Sequence, residues 1–265
     1  MLSKKNVIAV SGTHGKTTTS YMLCHIFLSQ GRDIGYLVGG ISSSTDKSAH
    51  LGKDPIFVVE ADEYDSAFFD KRSKFIHYKP STLVINNIEF DHADIFRDLE
   101  DIKKQFHHLI KTIPSSGNII FYNDNKNIID VLSRGVWSNE VPINNSDISL
   151  DSISKNLIIS GQKYYLGDLP LIGEHNLQNY SSAILCAYKN GVPIDDAIES
   201  LKGFKGDLGT KGFKGTQGDS PQGEKGITGN SPQGPGGSTG PTGIKGPTAP
   251  AGPKGIKGPT APAGP

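Results

Sequence analysis

Cysteine, tryptophan and net charge are all scarce in this chain of 265 residues. Its two cysteines, Cys24 and Cys186, exclude a disulfide framework and are typical of a reducing compartment. Basic and acidic residues number 27 each, so no net charge attracts nucleic acid or an acidic membrane. No hydrophobic run reaches the roughly 18 residues of a membrane span, and the N-terminus has no apolar segment typical of a signal peptide. We therefore expect a cytoplasmic protein with no nucleic-acid or membrane partner.

Hydrophobic residues are also few, at 35%, whereas glycine is abundant, at 32 residues. The imbalance is local, because glycine recurs at nearly every third position from Gly203 to Gly264. This Gly-X-Y spacing is typical of collagen-like chains, in which only glycine fits the axis of three wound strands. The phase of the repeat shifts at Gly223 and at Gly234, and alanine twice replaces glycine.

Two interpretations of this repeat remain open. The segment has too few apolar side chains to build a hydrophobic core, which favours a disordered tail. A trimeric triple helix is the alternative, although the interruptions argue against trimerisation. The composition therefore predicts a globular domain at 1–202 and a low-complexity, collagen-like tail at 203–265.

Residues 1–202 alternate apolar runs with amphipathic stretches, as in α/β domains. Helices are predicted at 16–30, 98–112 and 175–189. Strands are predicted at 6–10, 34–38, 56–60, 82–86 and 118–122, with shorter strands between 157 and 171. The alternation predicts a P-loop-like, mostly parallel sheet that is covered by helices on both faces.

A glycine turn joins the first predicted strand to the first predicted helix. In phosphate-binding loops of this kind, backbone N–H groups and a lysine face the anion, and a threonine hydroxyl can hold Mg²⁺. The general pattern has glycine where this chain has Val10, and an ordinary glycine turn is the alternative. The predicted phosphate-binding residues are Gly12, Thr13, His14, Gly15, Lys16, Thr17 and Thr18.

An acidic segment follows the predicted strand at 56–60. Glu60 ends that strand, where α/β sheets bind ligands, and three more carboxylates follow by residue 65. A solvated acidic loop is one interpretation. Beside a phosphate loop, a carboxylate ligand for Mg²⁺ is favoured, because Mg²⁺ takes one or two carboxylates together with phosphate oxygens.

Two further motifs carry polar side chains. Asn87 and His92 follow the strand predicted at 82–86, and His92 lies between aspartates, which suits a metal ligand oriented by a carboxylate. His175, Asn176 and Asn179 open the third predicted helix. Their amides can pair with an adenine edge and the histidine ring can stack on it, while a plain helix start is the alternative.

In order along the chain, GTHGKTTT, EADEYD, NNIEFDH and GEHNLQN resemble the central domain of the Mur ligases, ATP-dependent amide ligases of peptidoglycan synthesis. The resemblance covers about residues 4–206. Residues 60–96 resemble most specifically the branch that joins L-alanyl-γ-D-glutamyl-meso-diaminopimelate to UDP-N-acetylmuramate. The resemblance implies an acyl-phosphate formed with ATP, which the amine of the tripeptide then attacks.

The same resemblance implies roles for individual residues. Lys16 would contact the β- and γ-phosphates, while Thr17 and Glu60 would bind one Mg²⁺. His92 would bind a second Mg²⁺, with Asn87 beside it. Lys16, Glu60 and His92 are thus the implied catalytic residues. The implied adenine-binding residues are His175, Asn176 and Asn179.

Mur ligases also have a UDP-binding domain before the phosphate loop and a third domain after the central one. Here Ser11 is ten residues from Met1, and the glycine repeat starts where the third domain is expected. We therefore expect a chain that does not complete ligation by itself. Two alternatives remain: a collagen-like structural protein with a vestigial nucleotide-binding head, and an unrelated P-loop phosphotransferase.

Overall fold

A computed structural model describes residues 2–40, 45, 47–62, 65–67, 70–90 and 96–205. The predicted collagen-like tail beyond residue 205 therefore lies outside the described residues. Within the described ranges, no helix is both long and apolar enough to cross a membrane.

The strands of the described residues are numbered β1 to β12 in chain order. They span, in turn, Asn6–Ser11, Gly35–Leu37, Ala49–His50, Ile56–Glu60, Asp65–Ala67, Asp70–Ser73, Thr82–Ile85, Asn118–Tyr122, Asn139–Ile143, Ile148–Asp151, Asn156–Ile159 and Gln162–Tyr165. The helices α1 to α5 of the same residues span Lys16–Ser29, Leu99–Ile110, Lys126–Ser133, Glu174–Lys189 and Ile194–Lys202, and short 3₁₀ turns occupy Leu2–Lys4 and Lys74–His77.

A seven-stranded sheet organises the domain in the order β3-β2-β4-β1-β7-β8-β9. Its neighbours pair in parallel, except that β3 is antiparallel to β2. A small antiparallel sheet of β10, β11 and β12 and the hairpin of β5 and β6 complete the strand pairing of the described residues. The predicted mostly parallel α/β fold is confirmed.

Alternate side chains of the central strand β1 enter two separate cores, because successive residues of a strand point to opposite faces. Ile8 and Val10 join the core formed with α1, α4 and α5. Val7 and Ala9 join the core formed with α2 and α3. Helices therefore cover both faces of the sheet, and its central strands are buried on both sides, as parallel sheets require.

The folded domain extends past residue 202, where the sequence predicted its end. Phe204 is only 1% exposed and belongs to the core beside α1. Its ring meets that of His25 edge-on, with centroids 5.5 Å apart. Gly203 ends α5, so the first glycine of the predicted repeat also serves as a helix C-cap.

An ion pair between Arg32 and Asp54 joins the end of α1 to the start of β4. The guanidinium donates from Nε and Nη2 to the two carboxylate oxygens at 2.9 Å each, and both side chains are partly buried. Hydrogen bonding from Arg32 is the main reason that the pKa of Asp54 is lowered. A carboxyl whose pKa is lowered on folding stabilises the fold above its unfolded pKa, about 3.9, and that stabilisation is lost as the pH falls through the folded pKa.

We expect Asp54→Asn to lower the free energy of unfolding at pH 7 by about 1.5–3 kcal/mol, because it removes a charged hydrogen-bond acceptor. Urea unfolding at pH 7 and pH 3 measures the effect. The difference in the free energy of unfolding between wild type and variant should be smaller at pH 3, because protonation of Asp54 weakens its ion pair with Arg32. Asp168→Asn, at an exposed carboxylate, is the control and should change stability little at either pH. An equal difference in the free energy of unfolding at both pH values would contradict the stabilising role of the ionised Asp54 carboxylate.

Candidate phosphate and nucleotide site

The predicted site residues that the structure describes gather at the C-terminal edge of the four central strands, β4, β1, β7 and β8. The strands end at Glu60, Ser11, Ile85 and Tyr122 in that order across the sheet. Ligands of open α/β sheets bind outside this edge. Segments far apart in the sequence are therefore adjacent here because the strands are parallel and neighbouring.

Two glycines shape the loop between β1 and α1. Gly12 and Gly15 have φ angles of 133° and 78°, which side-chain-bearing residues rarely adopt. A Cβ on Gly15 would lie 2.4 Å from Oδ1 of Asn179, and one on Gly12 would lie 3.0 Å from backbone atoms of Asn87. The loop thus needs glycine both for its conformation and for its close contacts.

Lys16 begins α1, and its side chain turns back into the loop. Only 8% of the residue is exposed. Its ammonium group donates to the carbonyl oxygens of Gly12 at 2.7 Å and Thr13 at 3.4 Å, and lies 3.3 Å from Oδ1 of Asp62. The positive charge is therefore held within the loop, where it can meet an anion.

Thr17 and Glu60 meet beside the lysine. The threonine hydroxyl donates to Oε1 of Glu60 at 2.6 Å, and Oε2 of Glu60 accepts from the backbone N–H of Gly39 at 2.7 Å. A hydroxyl and a carboxylate are oxygen donors of the type that Mg²⁺ prefers, so this pair fits that ion. The adjoining cavity has a volume of about 350 Å³ and is lined by Thr13, His14, Gly15, Lys16, Thr17, Thr18, Glu60 and Asp62.

Asn87 fastens the loop to the end of β7. Its Oδ1 accepts from the backbone N–H of His14 at 2.8 Å, and its carbonyl oxygen accepts from that of Thr13 at 3.1 Å. Its Nδ2 donates back to the carbonyl oxygen of His14 at 3.3 Å. Asn87 therefore shapes the loop as well as lying beside it.

A second cavity, of about 280 Å³, adjoins the first at His14 and Gly15. The predicted residues His175 and Asn179 line it. Asn176 contributes indirectly, since its Oδ1 accepts from Nδ2 of Asn179 at 3.3 Å while its own Nδ2 donates to the carbonyl oxygen of Ile172 at 2.8 Å. The whole lining is His14, Gly15, Asn86, Asn87, Tyr122, His175, Gln178 and Asn179.

The set of predicted site residues did not include Asn86, Tyr122, Gln178 and Asp62. Asn86 is 8% exposed, and its Nδ2 donates to the hydroxyl of Thr19 at 3.1 Å. Tyr122 donates to the carbonyl oxygen of Gln178 at 3.0 Å, and burial raises its pKa. Asp62, Asn86 and Gln178 lie within the motifs EADEYD, NNIEFDH and GEHNLQN. Tyr122 was signalled only by its position as the last residue of a buried strand.

The predicted metal ligand His92 falls among residues 91–95, outside the described residues. In the ranges that the structure does describe, no three His, Cys, Asp or Glu side chains form a cluster able to hold a metal ion. The pair of Thr17 and Glu60 is thus the part of the predicted metal site whose geometry is defined.

Comparisons with known proteins identify the relatives of this chain. The Mur ligase middle domain family matches residues 10–187. UDP-N-acetylmuramate–L-alanyl-γ-D-glutamyl-meso-2,6-diaminoheptandioate ligase of Haemophilus influenzae is 44% identical over 210 residues, which are 77% of this chain and 46% of that protein.

Solved structures are similar as well. The UDP-N-acetylmuramate:L-alanyl-γ-D-glutamyl-meso-diaminopimelate ligase from Neisseria meningitides has a TM-score of 0.72 and 39% identity, over 77% of this chain and 68% of that one. A murein peptide ligase from Psychrobacter arcticus has a TM-score of 0.69 and 38% identity, over 78% of this chain and 48% of that one.

The parallel sheet and the glycine loop at its C-terminal edge define an α/β domain of the P-loop class. The chain belongs to the Mur ligase family and carries the family's middle domain. It spans about half the length of the curated relatives that it matches, 46% in the Haemophilus influenzae protein.

Proposed function

We propose that this chain contains the ATP-binding module of an amide-forming ligase of peptidoglycan synthesis or recycling. One observation carries the proposal. The cavity at Lys16, Thr17 and Glu60 adjoins a second cavity at His175 and Asn179, and the two share His14 and Gly15. A charged cavity beside a cavity lined by amide and aromatic side chains suits a triphosphate joined to a nucleobase.

Each residue has a task in this proposal. Lys16 binds the β- and γ-phosphates, and the backbone N–H groups at the start of α1 face the same anion. Thr17 and Glu60 hold one Mg²⁺, and His92 a second. When bound, Mg²⁺ neutralises charge on the phosphate oxygens during transfer. His175 and Asn179 hold the adenine, and Asn176 orients Asn179 through their hydrogen bond.

The substrates of the complete reaction are also proposals, because the chain spans only 46% of the Haemophilus influenzae relative. That relative is named for UDP-N-acetylmuramate and a tripeptide that contains diaminoheptandioate. We assign the same pair here: ATP phosphorylates the muramoyl carboxylate, and the tripeptide amine displaces phosphate to form the amide. Family membership favours this ligase over a structural protein or an unrelated phosphotransferase.

We further propose that the glycine repeat that follows the folded domain is a collagen-like tail that stays disordered and does not trimerise. The Gly-X-Y spacing supports its likeness to collagen, and its two phase shifts oppose a continuous triple helix. Light scattering of the full chain tests the second part, since a stable triple helix would produce a trimer.

Calorimetric titration of ATP into the chain, with and without Mg²⁺, tests the nucleotide proposal. We expect saturable heat with ATP and Mg²⁺, and much weaker binding without the metal, because Glu60 and Asp62 repel an unshielded triphosphate. GTP is the specificity control. Absence of binding with Mg²⁺ present would refute the proposed function.

A chimera tests the proposed substrates. Residues 4–206 would replace the matching segment of the Haemophilus influenzae ligase, and amide formation would be measured with the tripeptide and with L-alanine as acceptors. We expect the tripeptide to be joined to UDP-N-acetylmuramate and L-alanine to be a poor substrate. A preference for L-alanine would contradict the proposed substrate but not ATP binding.

A further inference from the structure

We infer that Tyr21 is a positioning residue that orients the Glu60 carboxylate through the turn at Gly39 and Gly40. The inference rests on the proposed function, in which Glu60 and Thr17 hold a divalent cation. It adds the reason that the half-buried Glu60 side chain, at the C-terminal end of β4, is directed at Thr17. Hydrogen bonds from Tyr21 to this turn, and from the turn and Thr17 to Glu60, carry the argument.

The first contact begins on α1. Tyr21 follows Thr17 by four residues, so the two side chains lie on the same face of the helix, one turn apart. Tyr21 is 1% exposed, and its hydroxyl lies 3.2 Å from the carbonyl oxygen of Gly39 and 2.9 Å from that of Gly40. The hydroxyl thus binds the turn that follows β2 to the helix that carries Thr17.

The turn is constrained on its other side as well. The backbone N–H of Val38 donates to the carbonyl oxygen of Ser48 at 2.9 Å, and the Val38 side chain is buried. Gly40 then adopts a φ angle of 79°, a conformation that favours glycine. With both flanks fixed, the N–H of Gly39 has a defined direction.

That N–H donates to Oε2 of Glu60 at 2.7 Å, while Oε1 accepts from the Thr17 hydroxyl at 2.6 Å. Each carboxylate oxygen therefore has its own donor, and the contacts close a ring that starts and ends on α1. Partners beyond the direct ligands commonly fix a ligand's orientation and tune metal affinity. In this ring Tyr21 acts on Glu60 through the backbone of the turn at Gly39 and Gly40.

Glycine at position 39 allows the close approach of backbone and carboxylate. A Cβ there would lie 3.0 Å from Oε2 of Glu60, the movable end of a flexible side chain. Gly39 is not among the glycines with positive φ, so alanine there avoids the strain of a left-handed backbone. Gly39→Ala should accordingly displace the carboxylate while costing the fold little.

The test compares Tyr21→Phe with Tyr180→Phe. Tyr180 lies on α4, not on the helix that carries Thr17. It is equally buried, and its hydroxyl accepts from the backbone N–H of Leu171 at 2.8 Å. Each variant removes one buried hydroxyl, so a purely structural effect should be similar in both. Gly39→Ala is likewise paired with Gly203→Ala, whose Cβ would make only ordinary contacts of 3.6 Å or more.

The readouts are binding of Mn²⁺ in the presence of ATP, followed by electron paramagnetic resonance, and the Mg²⁺ concentration at which ATP binding is half-maximal. We expect Tyr21→Phe and Gly39→Ala to weaken metal binding about 10-fold, the lower end for loss of an orienting partner. Tyr180→Phe and Gly203→Ala should leave both readouts unchanged.

Three outcomes are distinguishable. A shift confined to Tyr21→Phe and Gly39→Ala supports the inference. Metal-dependent ATP binding that is equal in Tyr21→Phe, Tyr180→Phe and wild type would overturn the inference and leave the proposed function intact. Failure of the wild-type chain to bind ATP with either metal would overturn both. Urea unfolding of every variant shows whether a loss of binding is a loss of fold.

Discussion

Replacing Lys16 with alanine is expected to lower the affinity for ATP and Mg²⁺ by about 100-fold, equivalent to about 2.7 kcal/mol. The expected size follows from the loss of one charged hydrogen-bonding group, worth about 1.5–3 kcal/mol. A second effect acts in the same direction. Asp62 lies 3.3 Å from the ammonium group, so removal of the lysine leaves that carboxylate facing the phosphates without its counter-charge.

Calorimetry with Lys163→Ala as the matched control measures this effect. Lys163 is exposed on β12, in the small antiparallel sheet, and its loss changes the net charge by the same amount. We expect Lys163→Ala to bind ATP like wild type. Equal affinity in Lys16→Ala and Lys163→Ala would show that the loop does not bind phosphate through this lysine.

The sequence predicted the central elements of the fold closely because their signals are local and strong. The strands at 56–60 and 118–122 have the predicted bounds, and the first predicted helix begins at Lys16 as expected. Each strand is a short apolar run bounded by proline or polar residues, the pattern expected of a strand buried on both faces.

The missed elements have weaker signals. Helix α3 has only eight residues, and its N-cap, Asn125, accepts from the backbone N–H groups of Asn127 and Ile128. So short a helix depends on packing against the sheet for its stability. Strand β9 contains Pro142, and a proline in the sequence argues against predicting a strand. The proline is tolerated because β9 lies at the edge of the sheet.

The candidate site was predictable as a set of motifs but not as a set of contacts. Strand order brings Glu60 and Asn87 to opposite sides of the glycine loop, and the sequence does not state that order. The contact between Asn179 and Thr19, at 3.2 Å, joins residues 160 positions apart. In the sequence, Tyr21 has the pattern of an ordinary apolar position of α1. The contact of its hydroxyl with the turn at Gly39 depends on the tertiary structure, which the sequence pattern does not give.

Gly15→Ala should have the second large effect, because it disturbs both cavities at once. The φ angle of 78° costs a side-chain-bearing residue about 1–2 kcal/mol. The new Cβ would also lie 2.4 Å from Oδ1 of Asn179 and 2.9 Å from Nδ2 of Asn86. Both side chains must therefore move, and Asn179 lines the cavity that we propose for adenine.

Gly191→Ala separates backbone strain from displacement of these side chains. Gly191 has a φ angle of 91°, and a Cβ on it would have no neighbour within 4 Å among the described residues. It should lose stability by about 1–2 kcal/mol and keep wild-type affinity for ATP. Gly15→Ala should lose more stability, by a further 1–3 kcal/mol or so for overpacking, and at least about 10-fold in affinity. Parallel urea unfolding and calorimetry test both variants. Equal ATP affinity in the two would mean that neither Asn179 nor Asn86 positions the nucleotide, because only Gly15→Ala displaces these two side chains.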